Sequence, residues 1–175
     1  GDGVTVFNTL GFDRSDVIAL PSVDATALAD ESGKLYPVQK TADGALVYLE
    51  NLPAKGYKTF HKATIEVESP FARKDNFHLE TPFYAITLDA NGHFVSIFDK
   101  ENDREVIQSG KAGNLMRMFE DKPMYYDNWD IDMFYTEKSW PVDNLVNLAW
   151  TEDGAVRTTL TLEYEASKSK VWQKV

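Results

Sequence analysis

The stretch Leu145-Val-Asn-Leu-Ala-Trp-Thr-Glu-Asp-Gly-Ala-Val-Arg-Thr-Thr-Leu-Thr-Leu-Glu-Tyr164 decides the fold class. Its second half alternates: Leu160, Leu162 and Tyr164 fall on one face, and Thr161 and Glu163 on the other. Period 2 is the signature of a half-buried strand, because successive side chains in a strand point to opposite faces. Asp153-Gly154 sits between the two apolar runs and predicts a hairpin, since a two-residue type I′ turn needs positive φ at both central positions. Two more pairs of runs have the same form. Asp43-Gly44 separates Leu35–Gln39 from Ala45–Leu49, and Asn91-Gly92 separates Phe83–Leu88 from His93–Phe98.

Working outward, Val4–Phe7 and Val17–Leu20 read as strands, the second stopped by Pro21. Asp24–Gly33 is weaker; its alanines suit a helical turn or a ragged edge. Asn51–Gly56 is a loop. Tyr57–Glu68 ends in alternation, with Ile65 and Val67 set against Glu66 and Glu68. Several short strands and no long helix in the first ~70 residues predict a small β-sandwich. Ser69–Asn76 carries proline and charges without a period and reads as a boundary. Beyond it, Glu101–Ser109 is expected to form a short helix, Leu115–Phe119 leads into the stretch that follows it, and Lys168–Val175 carries the strand residues Val171 and Trp172. The expectation is an all-β chain in two parts: a small sandwich over 1–69, a linker at 70–76, and a second β domain over 77–175.

Composition narrows the function classes. The 175 residues are 43% hydrophobic and 13% aromatic, enough for packed cores. A formal net charge of -10 and a pI near 4.7 argue against nucleic acid and anionic membrane as partners, since both attract basic surfaces. A neutral ligand such as a sugar is compatible. Without cysteine there is neither a disulfide framework nor a thiolate metal site. No secretory leader pattern opens the sequence, and no apolar run reaches the ~20 residues of a membrane-spanning helix.

Chemistry-bearing residues concentrate in Phe119-Glu-Asp-Lys-Pro-Met-Tyr-Tyr-Asp-Asn-Trp-Asp-Ile-Asp-Met-Phe-Tyr135. Here five carboxylates interleave with six rings. Ring faces stack on sugars, and carboxylates accept hydrogen bonds from sugar hydroxyls. The competing reading is an aromatic-rich strand and loop whose acids face water. Other chemistries find less support. His61, His78 and His93 are scattered, without the paired spacing of a zinc site. Asp127, Asp130 and Asp132 lack the glycine of a calcium loop, and Lys100 stands where the Asp89-x-Asn91-Gly92 run needs its glutamate ligand. There is no nucleophile elbow and no phosphate-cradling loop. A glycosidase pair of carboxylates remains open, because an acidic chain offers many such pairs and spacing in sequence cannot choose among them.

Several pieces together resemble the C-terminal β region of glycoside hydrolase family 38 α-mannosidases, of the bacterial and cytosolic type. They are Thr81-Pro-Phe-Tyr84, Leu88-Asp-Ala-Asn-Gly92 followed by Ser96-Ile-Phe-Asp-Lys100, Arg104-Glu-Val106, Gly113-Asn-Leu115, and above all Phe119-Glu-Asp-Lys-Pro123 running into Tyr126-Asp-Asn-Trp-Asp-Ile-Asp132. Val6–Leu10, Val17–Pro21 and Leu52–Tyr57 are similar as well. Asn128 departs from the type, which usually has alanine there. The resemblance implies a small β-sandwich followed by the start of a galactose-mutarotase-like β-supersandwich, the second one truncated. It also implies a parent that is a metal-dependent retaining α-mannosidase, cytoplasmic, acting on a mannose-containing glycoside. The nucleophile and the divalent metal, usually zinc, belong to barrel and helical-bundle domains that no stretch here matches. This chain is then expected to hold no catalytic residue and no metal, to be inactive alone, and to have those catalytic and helical domains as partners. By the same resemblance Tyr126, Asp127, Trp129, Asp130 and Asp132 are candidates for the rim of the sugar site. Trp129 serves there as a wall or stacking residue, or else as interdomain core. An independent carbohydrate-binding sandwich is the alternative.

Overall fold

The computed structural model describes residues 3–126 and 128–175. The chain is all-β, with 52% of it in strands and 3% helical. By its internal contacts it divides into two compact units: Gly1–Phe71 with Thr151–Thr159, and Ala72–Trp150 with Leu160–Val175.

The first unit is built on β1 (Gly3–Asn8), β2 (Arg14–Leu20), β3 (Ala27–Ala29), β4 (Leu35–Thr41), β5 (Gly44–Leu52) and β6 (Gly56–Ala63). They form one antiparallel sheet in the order β1-β6-β3-β4-β5-β2. Pairing changes hands along β4: Leu35–Pro37 pairs with β3, and Val38–Thr41 pairs with β5. Pro37 has no N–H to donate, and it sits where β4 has a ladder partner on one side. The two halves enclose a sandwich core of Val6, Leu20, Leu28, Tyr36, Val38, Val47, Leu49 and Phe60, with Tyr36 edge-on to Phe60. The Asp24–Gly33 segment holds no helical turn. Ala27 and Leu28 are fully buried in β3, flanked by β4 and β6. The expected alternation through Ile65 and Val67 is not a strand either. After Ala63 the backbone pairs with Thr26, whose hydroxyl donates to the Ile65 carbonyl and accepts from its N–H, so a side chain replaces the ladder.

The second unit starts with β7 (Ala72–Arg73), a two-residue strand within the charged 70–76 stretch. It continues through β8 (His78–Glu80), β9 (Tyr84–Leu88), β10 (Phe94–Asp99) and β11 (Arg104–Glu105) in a five-stranded sheet ordered β11-β10-β9-β8-β7. A ribbon of β12 (Arg117–Phe119) and β13 (Ser139–Pro141) follows. A three-stranded sheet closes the chain: β14 (Leu145–Asp153), β15 (Thr158–Ala166) and β16 (Ser169–Lys174), with β15 central. Leu88, Val142, Leu160, Leu162, Tyr164 and Ala166 are its buried core, and Ile86, Phe94, Met116, Met118 and Leu148 pack against them. The helix expected over Glu101–Ser109 is absent. Glu105 explains why: its carboxylate accepts the N–H groups of Ile97 and Ile107 and the Ser96 hydroxyl, which fastens β11 to β10 as a sheet edge.

All three predicted hairpins form, but none through the expected Asp-Gly or Asn-Gly type I′ turn. Thr41 pairs with Gly44, so the two-residue loop is Ala42-Asp43. Gly44, at φ 151°, is needed because a Cβ there would lie 2.3 Å from the Leu20 carbonyl oxygen. Asp89 N–H donates to the His93 carbonyl, which leaves a three-residue loop with Gly92 in the left-handed region at φ 78°. Asp153 and Gly154 open a longer loop held on the buried Gln39. The Gln39 amide donates to the Arg157 carbonyl at 2.9 Å and accepts the Val156 and Arg157 N–H groups at 3.0 and 2.7 Å. A Cβ on Gly154 would meet Gln39 Cδ at 2.2 Å, so this glycine is required by close approach.

Candidate functional site

The carboxylate-and-ring stretch begins where the β12–β13 ribbon ends. Phe119 pairs with Ser139, and Glu120 N–H donates to the Lys138 carbonyl at 2.9 Å. Residues between 120 and 138 therefore leave the ladder and return to it. Lys122 precedes proline, which favours an extended backbone, and Pro123 has no N–H, so the ladder cannot continue. A short 3-10 helix, Met133–Glu137, brings the chain back.

Two ties hold the base of this excursion. Phe119 and Tyr135 rings meet edge-on at 5.3 Å between centroids. Glu120 lies between two ammonium groups, 2.9 Å from Lys122 and 3.2 Å from Lys138, and these hold its carboxyl below the ordinary glutamate range. Lys138 also covers the Trp140 ring at 5.0 Å. Farther out, Trp129 N–H and Asp130 N–H both reach the Tyr126 carbonyl, at 2.8 and 3.2 Å. Tyr126 itself has φ 61°, a conformation that costs a bulky residue on the order of 1 kcal/mol or more. Asp132 Oδ2 accepts the Met124 N–H at 2.7 Å, closing the loop across eight residues.

The excursion turns its apolar side chains outward. Trp129 is 86% exposed and Tyr126 72%. Tyr125, Met124, Ile131 and Met133 are exposed too. Of the candidate rim residues, Tyr126, Trp129 and Asp130 are brought together by the tight turn and stand in solvent. Asp132 is half-buried and engaged with Met124. Asp127 lies outside the described residues. Sequence reasoning did not single out Met124, Ile131 and Met133, although they widen the exposed apolar face, nor the Glu120–Lys122–Lys138 clamp. The signal was available as a combination: large apolar residues with neither period 2 nor period 3.6, following a proline. Chemically, the face offers ring surfaces and hydrogen-bond acceptors and suits a partly apolar, hydroxyl-rich surface better than an anion.

The described residues of this chain offer no site for the metal implied by the resemblance. Among the described residues no three His, Asp or Glu side chains converge. His78 and His93 each direct Nδ1 at a neighbouring carboxylate, Asp75 and Asp89. Also among the described residues, no helix is long and apolar enough to cross a membrane.

Comparison with known proteins finds similar sequences, a similar fold and a matching family profile. Alpha-mannosidase G of Dictyostelium discoideum is 25% identical over 93% of this chain, and human alpha-mannosidase 2C1 is 25% identical over 81%. The matches span 16% and 13% of those proteins, so the chain covers a small part of their length. Among solved structures, an alpha-mannosidase from Enterococcus faecalis V583 shares the fold with a TM-score of 0.53 at 11% identity, covering 93% of this chain and 23% of that one. Residues 79–175, more than half of the chain, match the profile of the Glycosyl hydrolases family 38 C-terminal domain, and the chain belongs to that family.

Proposed function

We propose that this chain is the non-catalytic C-terminal β region of an α-mannosidase, and that the 120–138 excursion docks on a catalytic barrel and completes the rim of its sugar site. The observation that carries the reading is the outward face of the excursion. Trp129, Tyr126, Ile131 and Met133 are exposed, yet the backbone that carries them is tied at Tyr126, Asp132 and Glu120. A fixed backbone with exposed rings is the arrangement expected of a surface that acts on a partner, because ordering is already in place before binding. In this reading Trp129 is a wall or stacking group for a mannoside, and Asp130 accepts hydrogen bonds from its hydroxyls. The nucleophile and the divalent metal lie in the barrel and helical domains. The second part of the chain opens a mutarotase-like supersandwich, and the parent works in the cytoplasm as a retaining exo-hydrolase.

The test is Trp129→Ala in the full-length protein. Removing a stacking wall is expected to raise KM about tenfold, equivalent to ~1.4 kcal/mol, with the melting temperature unchanged. Wild-type KM and kcat in that variant would reject the rim role. The exposed rings also favour a second reading, an independent carbohydrate-binding sandwich. Calorimetry of this chain with mannose and mannobiose separates the two, since only the second reading expects heat of binding without the barrel.

A further inference from the structure

Asp132 occupies the residue before the 3-10 helix Met133–Glu137, the position where an aspartate ordinarily accepts a hydrogen bond from the first turn of its own helix. It does not do so. Its backbone has the extended conformation usual for a cap, at φ -69° and ψ 151°, but its side chain makes no cap bond. The carboxylate reaches back to the Met124 N–H at 2.7 Å instead. Met124 is the first residue after Pro123 with an N–H to offer, and from it the chain runs through Tyr126 to Trp129. The helix start is bonded through the backbone, from Tyr135 N–H to the Asp132 carbonyl at 3.1 Å. A carboxylate diverted from its own helix onto the far end of a loop fixes the loop's span rather than the helix.

We infer that Asp132 is a positioning residue for the saccharide-facing loop: by holding Met124 it sets where Trp129 and Asp130 stand, and it does not itself touch the sugar. This rests on the docking reading above and assigns Asp132 a different task from its neighbours. Asn at 132 can still accept the Met124 N–H through its amide oxygen, whereas Ala cannot, so the pair of variants isolates the hydrogen bond from the charge.

Amide hydrogen exchange at Met124 is read in this chain as wild type, Asp132→Ala and Asp132→Asn. Asp132→Ala is expected to speed exchange about tenfold, and Asp132→Asn to stay within about twofold of wild type. In the full-length protein, turnover of p-nitrophenyl α-mannoside is then measured for both variants and for Trp129→Ala. Asp132→Ala is expected to raise KM roughly three- to tenfold with kcat nearly unchanged, because a misplaced wall weakens ground state and transition state alike. Asp132→Asn is expected to restore KM. Unchanged Met124 exchange in Asp132→Ala overturns the inference, as does an Asn variant whose KM rises as far as that of Ala. If Trp129→Ala raises KM while Asp132→Ala loosens Met124 without effect on KM, the positioning role is overturned and the docking reading stands. If neither variant moves KM, the docking reading itself fails.

Discussion

Strand β15 and the 120–138 excursion draw on the same residue types and treat them oppositely. In β15, Leu160, Leu162 and Tyr164 are buried to 1% exposure or less, and Thr161 and Glu163 face away from them. In the excursion, Tyr125, Tyr126, Trp129 and Ile131 stand in solvent. Hydrophobicity therefore does not separate the two; the ladder does. A central strand with partners on both sides, β14 and β16, delivers every second side chain to one face. An irregular loop, held by the Asp132–Met124 bond and by the ties at its base, delivers side chains wherever its turns point them. Apolar residues with strand periodicity build this core, and the apolar residues of the excursion, which lack it, stand exposed.

Substitution on the ladder side should produce the largest effect. Leu162 is fully buried in the core of the second unit, and Leu162→Ala is expected to cost about 2–5 kcal/mol, read as a lower urea midpoint for that unit. Gly92→Ala comes next. The residue sits at φ 78°, a Cβ would come within 2.7 Å of Tyr164 Oη, and that hydroxyl donates to the Asn91 carbonyl at 3.0 Å. A destabilisation of about 1–3 kcal/mol follows from strain and displacement of Tyr164, measurable by thermal melting. No change in melting would show that the turn relaxes freely.

Acid titration compares the two units by a different route. Asp30 accepts the Ser32 hydroxyl and N–H, the Lys34 N–H and the Tyr36 hydroxyl, and its pKa is lowered to about 2 from the usual 3.8. A carboxyl whose folded pKa is depressed favours folding above its unfolded pKa, and that contribution is lost as pH falls through the folded value. The first unit of wild type should therefore lose stability between about pH 4 and pH 2, and Asp30→Asn should flatten that slope. Intrinsic fluorescence across the acid range checks it; an unaltered slope would remove Asp30 from the account.

Much of the fold was legible because β-hairpins announce themselves locally. The three apolar pairs flanking 43–44, 91–92 and 153–154 all became hairpins. The turn chemistry was not legible at the same places, because the glycines answer to distant atoms. Gly44 avoids Leu20, Gly92 avoids Tyr164 and Gly154 avoids Gln39. Nor could sequence show that Thr151–Thr159 belongs with the first unit, since Gln39 lies over a hundred residues away in the chain. The candidate site was visible as composition, a run of rings and carboxylates. What sequence could not distinguish was Asp132 from Asp130. Both are aspartates among rings, and in the structure Asp132 is the one that accepts the Met124 N–H.

Trp129→Ala is expected to have the smallest effect on stability. Large-to-small substitution of a tryptophan in a core costs about 3–5 kcal/mol, because transfer energy is lost and a cavity remains. At 86% exposure Trp129 has little transfer energy to lose and no cavity to leave. The backbone bond from Trp129 N–H to the Tyr126 carbonyl survives the substitution, as does the Asp132–Met124 tie. The isolated chain should therefore unfold within about 0.5 kcal/mol of wild type, as surface substitutions do. A loss comparable to that of Leu162→Ala would mean that the ring is part of a core and that the excursion is not the outward face described above. A null effect on folding, set beside a raised KM in the full-length protein, would place the whole value of this ring in what it meets outside the chain.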